Sequence, residues 1–124
     1  MSNYPQFSLA FNIANSNKER SKAFDLYEKA FNAKKLSESY PPDGQDLHIM
    51  MEINKFKILL APGDAKPMNN IVTCQIQFDS EEDLRRAYDI LIEEGWNYWI
   101  GSYPWARVGA HVTDKYSVSW WLHL

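Results

Sequence analysis

Residues 78–96 read FDSEEDLRRAYDILIEEGW. Asp79 or Ser80 can cap a helix, because each offers a side-chain oxygen to a free backbone N–H. Glu82 or Asp83 stands three residues on, the spacing of a capping box. Leu84, Ala87, Tyr88 and Leu91 recur at helical spacing and make one apolar stripe. Gly95 supplies the stop. Upstream, Ile71–Phe78 alternates apolar and polar residues, the period of a strand with one buried face. Downstream come three more β segments, Trp96–Ile100, Trp105–Val112 and Val118–Leu124. Turns at Gly101–Pro104 and Thr113–Tyr116 separate them.

The first half repeats this order. Phe7, Leu9, Phe11 and Ile13 alternate with polar or small residues and predict a strand. Ser16 precedes Glu19 by three residues. Ala23, Phe24, Tyr27, Ala30 and Phe31 then share a helical face, and Asn32 suits the left-handed stop. Strands follow at Lys35–Tyr40, Leu47–Ile53 and Lys57–Ala61. The turn cluster Pro41–Gly44 and a tight Asn54–Lys55 hairpin lie between them. The helix-start signals Ser16 and Asp79 are 63 residues apart, as are the stops Asn32 and Gly95, about half of the 124-residue chain. The expectation is one α+β domain over residues 1–124, built from two βαβββ modules at about 5–62 and 70–124. Each module covers one face of its sheet with a helix and leaves the other face for a cavity.

Composition narrows the function. Hydrophobic residues make up 45% and charged residues 23%, ordinary globular values that argue against disorder. No apolar run approaches the roughly 20 residues of a membrane span, and the N-terminus lacks a secretory pattern, so a soluble cytoplasmic protein is expected. The net charge of −3 disfavours nucleic acid, whose binding rests on phosphate neutralisation. The lone Cys74 excludes an intrachain disulfide and a cysteine-rich zinc site. Its parity in the strand predicts a helix-facing core thiol of low reactivity. Aromatics reach 15%, and eight of the eighteen fall in residues 96–124. Aromatics dominate both cores and ligand-binding walls.

Strand parity sorts these side chains. Ile49, Met51 and Ile53, then Ala106, Val108, Ala110 and Val112, then Val118, Trp120 and Leu122 are assigned to the helix-side core. The opposite faces carry His48, Met50 and Glu52, then Trp105, Arg107, Gly109 and His111, then Ser119, Trp121 and His123. From these, His48, Met50, Glu52, Trp105, Arg107, His111, Ser119 and Trp121 are the candidate ligand-binding residues, since aromatics with a few polar groups make the usual small-molecule wall. The same side chains could instead fill the cavity or form a dimer interface. No Gly-flanked serine elbow or nucleotide loop is present.

The stretches SKAFDLYEKAFNAK (21–34), LHIMMEINKFKILLAPGD (47–64), FDSEEDLRRAYDILIEEGW (78–96) and WARVGAHVTDKYSVSWWL (105–122) resemble the glyoxalase/bleomycin-resistance, or vicinal oxygen chelate, superfamily, and most closely its PhnB-like branch. The most specific part is Asp-x-aromatic-small-Val-x-Trp at Asp114–Trp120. The family usually has Gly where this chain has Asn32 and Ser117. The resemblance implies curved mixed sheets around a cavity, frequent dimers, and, in metal-using members, His, Gln or Glu ligands from the first and fourth strands of each module. At those positions this chain offers Gln6 or Ser8, an acid-free and His-free Lys57–Ala61, Thr73 or Gln75, and Trp121. Thr and Trp are not practical ligands for a divalent ion, and His48 and Glu52 stand about 13 Å apart along one strand. No metal and no cofactor is therefore expected.

The leading expectation is a small-molecule binding protein of the resistance or sequestration type, taking an aromatic or anionic ligand and forming a homodimer. Trp105 and Trp121 would stack the ligand and Arg107 would pair an anionic group. The competing readings are a metal-dependent lyase, isomerase or dioxygenase of the same superfamily, a metal-free enzyme using His48 or His111 with Glu52, and an interaction protein with a filled cavity.

Overall fold

The computed structural model describes residues 7–41, 44–63 and 72–124. Gln6, the centre of the Pro41–Gly44 turn and the connector before Val72 lie outside the described residues. The order is β1 (Leu9–Asn12), α1 (Asn17–Phe31), β2 (Lys34–Ser39), β3 (His48–Ile53), β4 (Phe56–Ala61), β5 (Cys74–Gln77), α2 (Glu81–Ile92), β6 (Trp96–Tyr103), β7 (Ala106–Thr113) and β8 (Ser119–His123).

Local chemistry explains the helices. Ser16 Oγ accepts from the Glu19 N–H at 3.2 Å, and Ser80 Oγ from the Asp83 N–H at 3.1 Å. Asn32 ends α1 in the left-handed conformation, with its N–H on the Glu28 carbonyl at 2.9 Å. Gly95 has a different role from the expected stop, since α2 already ends at Ile92. A Cβ on Gly95 would stand 2.5 Å from the Thr113 carbonyl oxygen, so the absent side chain lets β7 approach the end of the helix. Asn54 and Lys55 both have positive φ, as a two-residue hairpin turn requires.

Each module forms a mixed four-stranded sheet, in the orders β1-β4-β3-β2 and β5-β8-β7-β6. The first strand of each module runs parallel to its last strand, as Leu9 opposite Ile58 and Cys74 opposite Trp120 show. The helix sides of both sheets meet in one core. Phe11 of β1 lies edge-on to Tyr27 of α1 and Trp120 of β8, at 5.9 Å from each. Phe31 of α1 packs on Trp120 at 4.6 Å and on Phe78 at 6.4 Å. The expected helix-side residues are buried, apart from the partly buried Val118. Cys74 is half-buried on the same side as Trp120.

A buried arginine closes the first module. Arg20 is inaccessible to solvent and donates to the carbonyls of Leu47 at 2.7 Å, Ala14 at 2.6 Å and Ile13 at 3.1 Å. Its guanidinium thereby ties the β1–α1 loop to the start of β3.

Two elements differ from the sequence reading. β6 runs on to Tyr103, so Gly101, Ser102 and Tyr103 are strand and not turn. Trp105 correspondingly leaves β7 and sits with Pro104 in the tight turn joining β6 to β7. Proline has no N–H to give to a ladder, which favours the chain reversal at that point.

Candidate functional site

The outer face of the second sheet carries a cluster of aromatic rings. Trp121 of β8 meets Tyr103 of β6 at 5.3 Å and 73°, Trp99 of β6 at 6.4 Å and 56°, and His123 at 6.2 Å in a stacked pair. Tyr103 also contacts Trp99 at 5.1 Å and Trp105 at 5.0 Å. These centroid separations are those of rings in direct contact, so no slot for a planar molecule remains between them. Their free faces are the available surface: Trp99 is 47% exposed and Trp105 73%.

Two glycines opposite each other make the plaque possible. Gly101 pairs with Gly109 across β6 and β7. A Cβ on Gly109 would stand 2.4 Å from the Trp121 ring and 2.9 Å from the Tyr103 ring, so both rings lie directly on the backbone there. Trp99 reaches this face because of a bulge. Trp96 opposes Thr113 and Trp99 opposes His111, which places three residues of β6 against two of β7. Asn97 absorbs the extra residue at φ 52°. The shift turns Tyr98 to the helix side, where it meets Tyr88 of α2.

Beside the rings runs a polar chain. The carbonyl of Asn97 lies 3.0 Å from His111 Nδ1, and His111 Nε2 lies 3.1 Å from Ser119 Oγ. A carbonyl can only accept, so in the neutral imidazole Nδ1 carries the hydrogen and Nε2 accepts from the Ser119 hydroxyl. Ser119 Oγ is also 3.2 Å from Thr73 Oγ1. These contacts hold the imidazole in one orientation at the edge of the aromatic plaque.

Four of the eight predicted site residues thus come together on the second sheet, namely Trp105, His111, Ser119 and Trp121. Trp105 reaches the cluster from the turn and not from β7. Arg107 shares the carboxylate of Glu81 of α2 with Arg85, bonding it at 3.2 Å, and its side chain stays 73% exposed. Glu81 is itself held below the usual carboxylate range by its hydrogen bond from Arg85 and then by the charges of Arg85 and Arg107. His48, Met50 and Glu52 lie half-buried on β3 of the other sheet. Among the described residues no hydrogen bond, ion pair or ring contact joins them to the Trp121 cluster. His48 Nδ1 turns to the Asp46 carbonyl at 3.1 Å. The shared core separates the two outer faces, which strand parity by itself does not reveal.

The reading by parity missed Trp99, Tyr103 and His123 as members of the cluster. His123 shares parity with Trp121 and was visible as an outer-face residue. Trp99 and Tyr103 depend on the bulges in β6 and β7. A second concavity, a cleft of about 660 Å³, lies between β1, the β3–β4 hairpin and β5. Leu9, Phe56, Ile76 and Trp120 are among its walls, and none of the eight predicted residues lines it.

The positions where the superfamily holds a metal do not fit one. Trp121 lies beside Gln75 on the parallel β5–β8 pair, and Thr73 Oγ1 is engaged with Ser119. An indole does not ligate a divalent ion, and the Thr73 hydroxyl is a poor donor for one. Among the described residues no three His, Cys, Asp or Glu side chains converge as a metal site would need. No described helix is long and apolar enough to cross a membrane.

No family model and no curated protein matches the sequence. Solved structures do. A putative 3-demethylubiquinone-9 3-methyltransferase, PhnB protein, from Bacillus cereus is similar over 97% of this chain and 99% of its own, with TM-score 0.78 and 20% identity. The fosfomycin resistance protein FosX from Mesorhizobium loti is similar over 99% and 92%, with TM-score 0.66 and 12% identity. A possible glyoxalase from Bacillus cereus is similar over 97% and 100%, with TM-score 0.63 and 14% identity. Together with the two βαβββ modules, these likenesses show that the chain has the glyoxalase-like fold of the vicinal oxygen chelate superfamily.

Proposed function

We propose that this protein binds a planar aromatic molecule on the outer face of the second sheet, without metal chemistry. One observation carries the reading: Trp99, Tyr103, Trp105 and Trp121 form a contiguous, partly exposed ring surface on a backbone made flat by Gly101 and Gly109. Exposed aromatic patches of this kind mark interaction sites. The donor set at the superfamily's metal positions supports binding over the metal-dependent lyase, isomerase or dioxygenase reading.

Equilibrium dialysis with naphthalene tests this. Saturable binding is expected, weakened about three- to tenfold by Trp121→Ala, the range that one aromatic contact is worth. Absence of saturable binding would sink the reading.

A homodimer is supported separately by the free edge of β6, where a second copy pairing along the strand would satisfy its open backbone groups and leave the ring faces to the ligand. Sedimentation should give twice the chain mass at micromolar concentration. A species of 14.5 kDa would refute the dimer.

A further inference from the structure

The hydroxyl of Tyr103 is out of contact with solvent and has no hydrogen-bond partner among the described residues. A buried hydroxyl left unpaired costs free energy, and native structures rarely keep one without a reason. Its position is specific. Tyr103 is the last residue of β6, its ring end lies over Gly109 against the Trp121 indole, and the Trp105 ring leans on it at 5.0 Å and 33°. Trp105 is held by a two-residue turn and is largely exposed, so it is the neighbour that can most easily move aside. The polar chain through His111 does not reach this hydroxyl, because Ser119, Thr73 and the Asn97 carbonyl complete it among themselves.

We infer that Tyr103 is the specificity-determining residue of the aromatic site, and that the ligand is an aryl ring bearing a hydrogen-bonding oxygen, such as a phenol or an aryl ketone, which pairs with the Tyr103 hydroxyl while the ring stacks on the neighbouring tryptophans. This rests on the aromatic-binding reading above. Desolvation pushes the Tyr103 phenol up from its ordinary value, so the group stays a neutral hydroxyl, able to donate to a carbonyl or to accept from a phenol. A site with an unpaired buried polar group discriminates against analogues that lack its partner, because they leave that group unsatisfied.

Two measurements on Tyr103→Phe test the inference. The first is thermal stability of the free protein. Removing an unpaired buried hydroxyl should raise Tm by roughly 2–5 °C. The second is equilibrium dialysis with the matched pair 2-naphthol and naphthalene. The natural protein should bind 2-naphthol about three- to tenfold more tightly than naphthalene, the worth of one hydrogen bond. Tyr103→Phe should bring the ratio of 2-naphthol to naphthalene affinity down to about one, whatever its effect on naphthalene binding itself. A variant that loses stability, or one that keeps the preference for 2-naphthol, would overturn the role of Tyr103 and leave the aromatic site standing. Failure of both molecules to bind either protein would remove the aromatic site itself, and the inference with it.

Discussion

Trp120 donates its indole N–H to the carboxylate of Asp114 at 2.9 Å, and the same carboxylate oxygen accepts from the Tyr27 hydroxyl at 2.7 Å. The other oxygen takes the backbone N–H groups of Tyr116 at 2.8 Å and Val118 at 3.1 Å. Asp114 and Trp120 are fully buried. The sequence pattern Asp114-x-Tyr116-Ser117-Val118-x-Trp120 is thus a physical unit. The acid shapes the turn before β8 and anchors the largest core side chain, and Tyr27 extends the link to α1 of the other module. Burial pushes the Asp114 carboxyl up, against the pull of its four hydrogen bonds, that from Trp120 foremost.

Replacing Asp114 by Ala strands two buried side-chain donors, each worth about 1–3 kcal/mol when left unpaired. The expected loss is at least ~3 kcal/mol by urea denaturation. Tyr27→Phe removes a donor but leaves the acid its other three partners, and should cost only about 1 kcal/mol. Equal losses in the two variants would contradict the anchoring role.

Trp120 and Trp121 are neighbours with opposite fates. Trp120→Ala empties a fully enclosed site and should cost ~3–5 kcal/mol. Trp121 lies on the outer face with an incomplete packing shell, so Trp121→Ala should cost clearly less while reducing naphthalene binding. Comparable urea midpoints would show that Trp121 is as much a core residue as Trp120.

Gly109→Ala places a methyl group where the Trp121 and Tyr103 rings now lie. Both rings must move off the backbone. The expected outcome is a loss of about 1–3 kcal/mol and a disrupted ring surface. Near-ultraviolet circular dichroism should change while the far-ultraviolet spectrum stays the same. Unchanged near-ultraviolet signals would mean that the rings do not depend on that glycine.

Alkaline pH should unfold the chain through its tyrosines. Desolvation, with Asp114 next, pushes Tyr27 well above its ordinary value of 10.0. Tyr116 is raised by burial and then by Glu19. A group raised in the folded state contributes stability that is complete below its unfolded pKa and is lost as pH rises toward its folded one. Stability should therefore hold up to about pH 10 and fall above it, with part of the tyrosinate absorbance appearing only as circular dichroism is lost. Full tyrosine titration with the fold intact would contradict this.

Burial, followed by the charge of Asp114, raises the Cys74 thiol as well. Thiolate is scarce at neutral pH, and access from β5 is partial. Alkylation by iodoacetamide at pH 7 should run at least ~10 times slower in the native protein than in urea. Equal rates would place the thiol at the surface.

The repeated strand–helix–three-strand order, the serine caps, the Asn54–Lys55 hairpin and the buried parity of β3, β7 and β8 were legible in the sequence by itself, although α2 is capped by Ser80 and not Asp79 and ends before Gly95. Each rests on interactions within a few residues, where periodicity and backbone preference speak directly. Half of the candidate site was legible on the same grounds, through the shared parity of His111, Ser119 and Trp121 with their outer face. What only the tertiary structure decided is non-local. The bulge at Asn97 turns Trp99 outward, and the neighbouring irregularity brings Tyr103 beside it; strand alternation cannot foresee an inserted residue that cross-strand packing selects. Arg107 meets Glu81 across 26 residues, an ion pair that local sequence does not show. His48, Met50 and Glu52 have the right parity, but the modules join through their helix sides, where Phe11, Tyr27 and Trp120 gain more by sharing one buried core than each sheet would gain alone.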